Sequence, residues 1–163
     1  MKTSTMIMNF SVERENKRIK VEREFDAPVL KVWNAWTDSK LLDQWWAPKP
    51  WKAQTKRMNF ARGGHWLYAM VGPDGTSSWC KADFKEVEPL KRFAVTDYFC
   101  DENGNIDNSF PVAHWDVTFT QRNTTTLVNV QISFNETADL DKYIEMGFRE
   151  GFTAALENLD GMV

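Results

Sequence analysis

In the segment Arg92–Phe99 (RFAVTDYF) apolar and polar residues alternate, and Asp97 falls on the same face as Phe93, Val95 and Phe99. A carboxylate on the apolar face of a strand is costly to bury unpaired, and it responds by holding a proton. Such a group anchors a ligand or acts as a general acid or base. The competing reading is a bulge or an early strand end that leaves Asp97 at the wet rim. Tyr68, in His65–Val71 (HWLYAMV), brings a hydroxyl to the same kind of face. Other reactive groups are sparse. His65 and His114 are the two histidines, and alternation sends both to the outer face. Neither belongs to an H-E-x-x-H or a Cys/His ligand spacing, so no metal and no cofactor is expected. Cys80 and Cys100 form no C-x-x-C and read as reduced thiols of a cytoplasmic protein. No G-x-S-x-G, P-loop or Rossmann fingerprint occurs, and nothing points to a Ser-His-Asp triad. No catalytic residue is assigned.

The elements that must hold these residues follow from period and punctuation. Lys17–Phe25 alternates Ile19, Val21 and Phe25 with charged neighbours, which predicts a half-buried strand. Ala27-Pro28 starts a helix carrying Val29, Val32, Trp33 and Trp36 at i, i+3, i+4 and i+7. Thr37-Asp38-Ser39 breaks it and caps a short second helix over Lys40–Trp46, which Pro48 and Pro50 close. From Trp51 the period changes to two. Strands are expected at Trp51–Phe60, His65–Val71, Ser77–Glu88, Arg92–Phe99, Ala113–Thr120 and Leu127–Phe134, separated by turn signals such as GPDG and Asn103-Gly104. Leu140, Ile144, Phe148, Phe152, Ala155 and Leu159 then recur by threes and fours, predicting one long helix over Thr137–Leu159. Consecutive strands joined by tight turns make an antiparallel sheet, and a sheet with one apolar face needs one cover. The fold class is therefore α+β, a curved antiparallel sheet gripping a C-terminal helix. Residues 1–16 read as a loose arm, with Met1, Met6 and Met8 each a conceivable start, and residues 17–163 as one domain.

Composition bounds the function. The chain has 163 residues, 42% apolar and 26% charged, with a net charge of -3. That describes an ordinary soluble domain able to bury a core without disulfides or metal. The acidic balance argues against binding phosphate backbones, so no nucleic-acid partner is expected. No apolar run reaches the roughly 18 residues of a membrane span, and MKTSTMIMNFSVER lacks the apolar stretch of a signal peptide. LLDQWWAPKPW (Leu41–Trp51) concentrates three tryptophans beside three nearby lysines, Lys40, Lys49 and Lys52. That is too little positive charge for a stacking platform. Leu41, Leu42, Trp45 and Trp46 read instead as the apolar side of the short helix.

Several stretches carry a resemblance. REFDAPVLKVWNAWTDSKLLDQWW, with Trp45-Trp46-Ala47-Pro48 at its end, resembles the opening of the START-like, or SRPBCC, superfamily. The branch it resembles is that of the activator of the ninety-kilodalton heat-shock protein's ATPase, which usually has Trp-Trp-Gly-Pro there. GGHWLYAMVGPDG and GFTAALENL are similar to that branch's Gly-Gly-x-aromatic strand and its Gly-Trp-x-x-x-Leu helix, with Phe152 in place of tryptophan. The resemblance covers roughly residues 18–159. It implies a helix-grip fold, like that of the birch-pollen allergen, with a cavity between sheet and long helix. The superfamily spans lipid and hormone carriers, polyketide cyclases and co-chaperone domains. The cochaperone itself has a second, N-terminal domain for which this chain has no room.

On this frame the cavity lining is expected from Trp66, Tyr68, Met70, Val95, Asp97, Trp115 and Val117 on the strands and Phe148 and Phe152 on the helix. Plain core packing is the alternative for each ring. Trp45 and Trp46 are expected to plug the mouth, one packing inward and one near the rim. Gly147 and Gly151 either let the helix approach the sheet or leave room for a ligand. The expected function is binding of a small apolar or aromatic molecule. The rivals are a cyclase- or hydratase-like enzyme moving protons through Asp97 or Tyr68, and an interaction domain acting on a chaperone. A homodimer is conceivable through an outer patch of Leu67, Ala69 and Trp79.

Overall fold

A computed structural model describes residues 6–163. One eight-stranded antiparallel sheet runs in the order β1-β2-β8-β7-β6-β5-β4-β3. The strands are β1 Met8–Glu13, β2 Arg18–Phe25, β3 Lys52–Met58, β4 His65–Val71, β5 Ser77–Glu88, β6 Arg92–Cys100, β7 Ala113–Arg122 and β8 Thr125–Phe134. Helices α1 Val29–Thr37 and α2 Ser39–Trp45 follow β2, and α3 Thr137–Glu145 and α4 Phe148–Asp160 close the chain. The α+β helix-grip architecture is the expected one. Alternation decides the buried face. β2 buries Ile19, Val21 and Phe25, and β7 buries Ala113, Trp115, Val117 and Phe119. α1 buries Val32, Trp33, Ala35 and Trp36 against that face, and the Asp38 carboxylate caps α2 by accepting from the Lys40 N–H at 2.9 Å.

Three expectations need correction. The segment read as a loose arm contains β1, paired with β2 from Met8↔Arg23 to Glu13↔Arg18. Both its faces are largely exposed, so no alternation marks it. Residues 1–5 of that arm, with Met1, lie outside the described residues. The single long C-terminal helix is two helices. Gly147, at φ 89°, adopts the left-handed conformation that favours glycine and separates α3 from α4. The apolar stripe runs on across the break, which hid it from periodicity. Finally, the outer patch is not exposed. Leu67 and Ala69 are 0% and 1% accessible. Their cross-strand neighbours Arg57, Lys81, Gln54 and Trp79 flank them, so longer side chains cover that face. Trp79 is half-buried, with the Lys56 ammonium 5.8 Å from its ring centroid.

No helix among the described residues is long and apolar enough to cross a membrane. Among them, no cluster of His, Cys, Asp and Glu is placed to hold a metal.

Candidate functional site

Asp97 sits in a regular stretch of β6. Its register partners are Ala82 on β5 and Ala113 on β7, and the irregularity of the β5–β6 pair lies elsewhere, at Phe84/Glu86. The carboxyl therefore points to the concave face, not to a rim. Alanine on both sides leaves it room and offers it no partner. Its Oδ1 is sealed from solvent without a hydrogen bond among the described residues. Burial, and to a lesser extent the charge of Asp83, push its pKa up to about 8. At neutral pH most molecules hold Asp97 protonated, as a hydrogen-bond donor.

Around this group the sheet and the C-terminal helices enclose a cavity of about 240 Å³. β4 contributes Tyr68 and Met70, β5 contributes Ser78 and Cys80, and β6 contributes Asp97 and Phe99. Trp115 comes from β7, Tyr143 from α3, and Phe148 and Phe152 from α4. Trp46 and Pro48, after α2, complete one wall, and the exposed Met146 and Ser78 also border the space. No Lys, Arg or His lines it. A second, inner pocket of about 30 Å³ lies behind it and shares the walls Trp46, Tyr68, Asp97 and Trp115.

The polar atoms are few, and one pair of them is held by a hydrogen bond. Trp46 Nε1–H donates to the Tyr68 hydroxyl at 3.1 Å, which fixes the indole across the boundary between the two chambers. The Tyr68 and Tyr143 hydroxyls and the Cys80 thiol all titrate well above their ordinary ranges. Burial is the main cause and the Asp97 charge the next. All three stay protonated at neutral pH. The Trp115 Nε1–H feels the nearby Tyr143 hydroxyl but makes no well-formed hydrogen bond. The site as it stands presents hydrogen-bond donors inside an aromatic box.

The expected lining residues separate into three groups. Tyr68, Met70, Asp97, Trp115, Phe148 and Phe152 meet at the large cavity. Trp66 and Val95 wall only the small inner pocket. Val117 walls neither and is fully buried core, two residues further along β7, between Phe93 and Val130. There the rings of α1 fill the space, since Trp33 and Trp36 pack edge-on against Phe119. Of the two mouth tryptophans, Trp45 is the inward one. It is 0% accessible, stacks edge-on with Trp36 at 5.0 Å and donates to the Ala35 carbonyl. It touches neither chamber, whereas Trp46 walls both. Both glycines border the large cavity, with no atom within 4 Å of a Cβ built on Gly147 and only Pro48, at 3.7 Å, near one built on Gly151. They leave space; they do not admit a close helix–sheet contact. Pro48, Ser78, Cys80, Phe99, Tyr143 and Met146 line the large cavity as well and were not expected there. Register would have found Cys80, directly opposite Tyr68, and Ser78, opposite Met70.

The chain resembles known proteins over most of its length. The family model described as activator of Hsp90 ATPase homolog 1-like protein matches residues 26–163. A protein from Arthrobacter aurescens, solved by NMR, superposes with a TM-score of 0.88 at 31% identity, covering 93% of this chain and 88% of its own. Protein Ms6760 from Mycobacterium smegmatis superposes at 0.89 with 24% identity, covering 98% and 97%. The AHSA1 protein from Silicibacter pomeroyi shares the fold at a TM-score of 0.71 and 19% identity, covering 89% and 96%. No functionally curated protein is significantly similar to the chain.

Proposed function

The chain belongs to the activator of Hsp90 ATPase homolog 1-like family, and from that premise we propose that it binds a small, uncharged aromatic molecule between its sheet and C-terminal helices. The observation that carries this reading is the cavity of about 240 Å³ with aromatic walls and one partnerless carboxyl. An engineered apolar cavity of about 150 Å³ takes a benzene ring, so a two-ring body suits this one. With no cationic side chain in the lining, an anionic ligand would be buried there without a counter-charge. The open volume supports this reading over a domain that works only through its surface. Two free thiols, Cys80 and Cys100, suit a reducing, cytoplasmic setting.

Native mass spectrometry of freshly purified protein, together with naphthalene titration followed by thermal shift, tests the proposal. A bound small molecule or a saturable rise in Tm supports it. Neither, across a panel of apolar ligands, overturns it. Gly151→Leu sharpens the test: its side chain enters the cavity beside Pro48, so naphthalene affinity falls at least ~10-fold. Stability holds or rises, because glycine inside a helix costs about 1 kcal/mol.

A second reading has its own observation. A carboxyl whose pKa is about 8 can give and take a proton near neutral pH, as an enzyme of the cyclase or hydratase kind requires. Asp97→Asn separates the two. Retained ligand affinity with lost turnover makes the protein an enzyme; retained affinity with no turnover in either form makes it a carrier.

A further inference from the structure

The inner pocket has a chemistry that its size alone does not suggest. Four buried side-chain polar atoms lack a hydrogen-bond partner among the described residues: Arg23 Nε, Trp36 Nε1, Asp97 Oδ1 and Trp115 Nε1. Arg23 lies apart, paired with Asp160 near the end of α4. The other three belong to side chains that wall the same pocket of about 30 Å³. Trp36 and Trp115 are 3% and 5% accessible, so bulk water does not serve them. Leaving a buried donor or acceptor unmade costs about 1–3 kcal/mol apiece. Trp115 Nε1 lies near the Tyr143 hydroxyl of the outer cavity without a well-formed hydrogen bond, whereas Trp36 Nε1 and Asp97 Oδ1 have no neighbour of that kind among the described residues. Such groups on the walls of one pocket, in an otherwise close-packed aromatic core, are an expensive coincidence unless something satisfies them together. A volume above ~10–15 Å³ admits one water-sized group, provided it finds two to four polar partners.

The partners also define what that group must be. An indole N–H only donates. Two of them, from Trp36 and Trp115, demand an acceptor with two lone pairs. Asp97 Oδ1 accepts when the occupant carries a hydrogen, and the carboxyl donates when it carries its own proton. An oxygen bearing at least one hydrogen meets all three. A methyl group meets none, and an ammonium offers the indoles no lone pair. We infer that the inner pocket is a single-oxygen site, held by Trp36, Asp97 and Trp115, that takes a water molecule in the free protein and the hydroxyl oxygen of the ligand in the complex.

The ligand half of this inference rests on the binding function proposed above; the water half does not. Trp46, Tyr68, Asp97 and Trp115 wall both chambers. An aromatic body in the outer cavity would therefore carry a hydroxyl at its end towards the site. The hydrogen bond of the Trp46 indole to the Tyr68 hydroxyl leaves that indole with no donor to spare. Selection for a hydroxyl at the inner site thus falls to Asp97 and Trp115, whereas the Tyr68, Tyr143 and Ser78 hydroxyls serve the outer cavity.

The test uses the whole chain, crystallised free, with naphthalene and with 2-naphthol, and the two probes titrated in solution. The free crystal is expected to show one oxygen peak within about 2.7–3.2 Å of Asp97 Oδ1 and of at least one of the two indole nitrogens. With naphthalene the peak remains; with 2-naphthol the probe's own oxygen takes its place. In solution 2-naphthol binds ~10-fold tighter than naphthalene, as one net hydrogen bond gives. The ratio collapses towards one in Asp97→Leu. Trp115→Phe, which keeps a ring and loses only the N–H, does the same should Asp97→Leu fail to fold. Featureless density between the three groups, at a resolution where other buried waters are visible, overturns the site. Equal binding of the two probes, with the water still in place under 2-naphthol, overturns its role for the ligand. The carrier reading fails separately: a water peak with neither probe binding leaves the oxygen site standing and removes the ligand.

Discussion

Both halves of the space between sheet and helices are built from aromatic rings, yet one half is filled and the other is open. Under α1, Trp33 packs edge-on against Phe60, Phe93 and Phe119 at 5.8, 6.0 and 5.0 Å, and Phe60 meets Phe84 at 4.7 Å. Under the junction of α3 and α4 the rings are as large and also touch: Trp115 meets Phe152 at 5.4 Å and Phe148 at 5.8 Å. The open half holds the cavity all the same. Ring size does not make the difference. α1 is an unbroken helix that sends two indoles down into the sheet. The covering element on the other side is interrupted at Gly147 and has no side chain at Gly151, both of which border the cavity. An opening in a close-packed interior forfeits contact energy, and this one is confined to one half, beside the carboxyl that is buried without a partner among the described residues.

The comparison breaks most visibly at Trp33. Trp33→Ala empties the filled half and should cost about 3–5 kcal/mol in urea unfolding, with naphthalene affinity at saturating folded protein unchanged. A loss of affinity as large as the loss of stability would mean that the two halves are one unit. Asp97→Asn probes the open half through pH. The folded pKa of about 8 lies above the ordinary value of 3.8. The folded state therefore holds a proton that the unfolded state has released between those values. Wild-type stability is full below about pH 4 and drains away as the pH rises through 8. Between pH 5 and 9 the wild type should lose on the order of 2–4 kcal/mol more than Asp97→Asn. Parallel curves for the two proteins would show Asp97 to be solvated. The smallest effect belongs to Gly147→Ala. No atom crowds that position, so the cost is the left-handed backbone alone, about 1–2 kcal/mol. A neutral substitution would show that the helix break does not depend on glycine.

What could be read from the residues follows the same division. Strands β2 and β4–β8, with α1 and α2, were legible because each buries one face and so carries a period. Asp97 was legible for that reason as well: it interrupts an apolar face that is otherwise continuous. β1 carried no signal, since a strand exposed on both faces has no pattern to show. The break at Gly147 was hidden because Leu140, Ile144, Phe148 and Phe152 keep their spacing through it. Val117 and Trp115 were indistinguishable, both inward on β7. Which of two inward residues borders empty space depends on how the helices dock, and alternation is blind to that. Tyr143 shows the same limit from the helix side. Ile144 was expected to face inward there, but in the broken helix it is Tyr143 that reaches the cavity, while Ile144 is only half-buried.

The strand order has a consequence for how the molecule is made. β2 pairs with β8, from Arg18↔Ser133 to Phe25↔Thr126, across nearly the whole domain, and β1 joins the sheet only through β2. During synthesis β1 and β2 can pair with each other, but the other edge of β2 has no partner until β8 has followed. The antiparallel run from β3 to β8 can zip locally, one neighbour after another. The closing step instead joins β2 to β8, far apart along the domain, at the loop-entropy cost that slows folding of non-local topologies. Until then the apolar face of β2, with Ile19, Val21 and Phe25, waits uncovered. That interval is when this chain is most open to a chaperone or to aggregation.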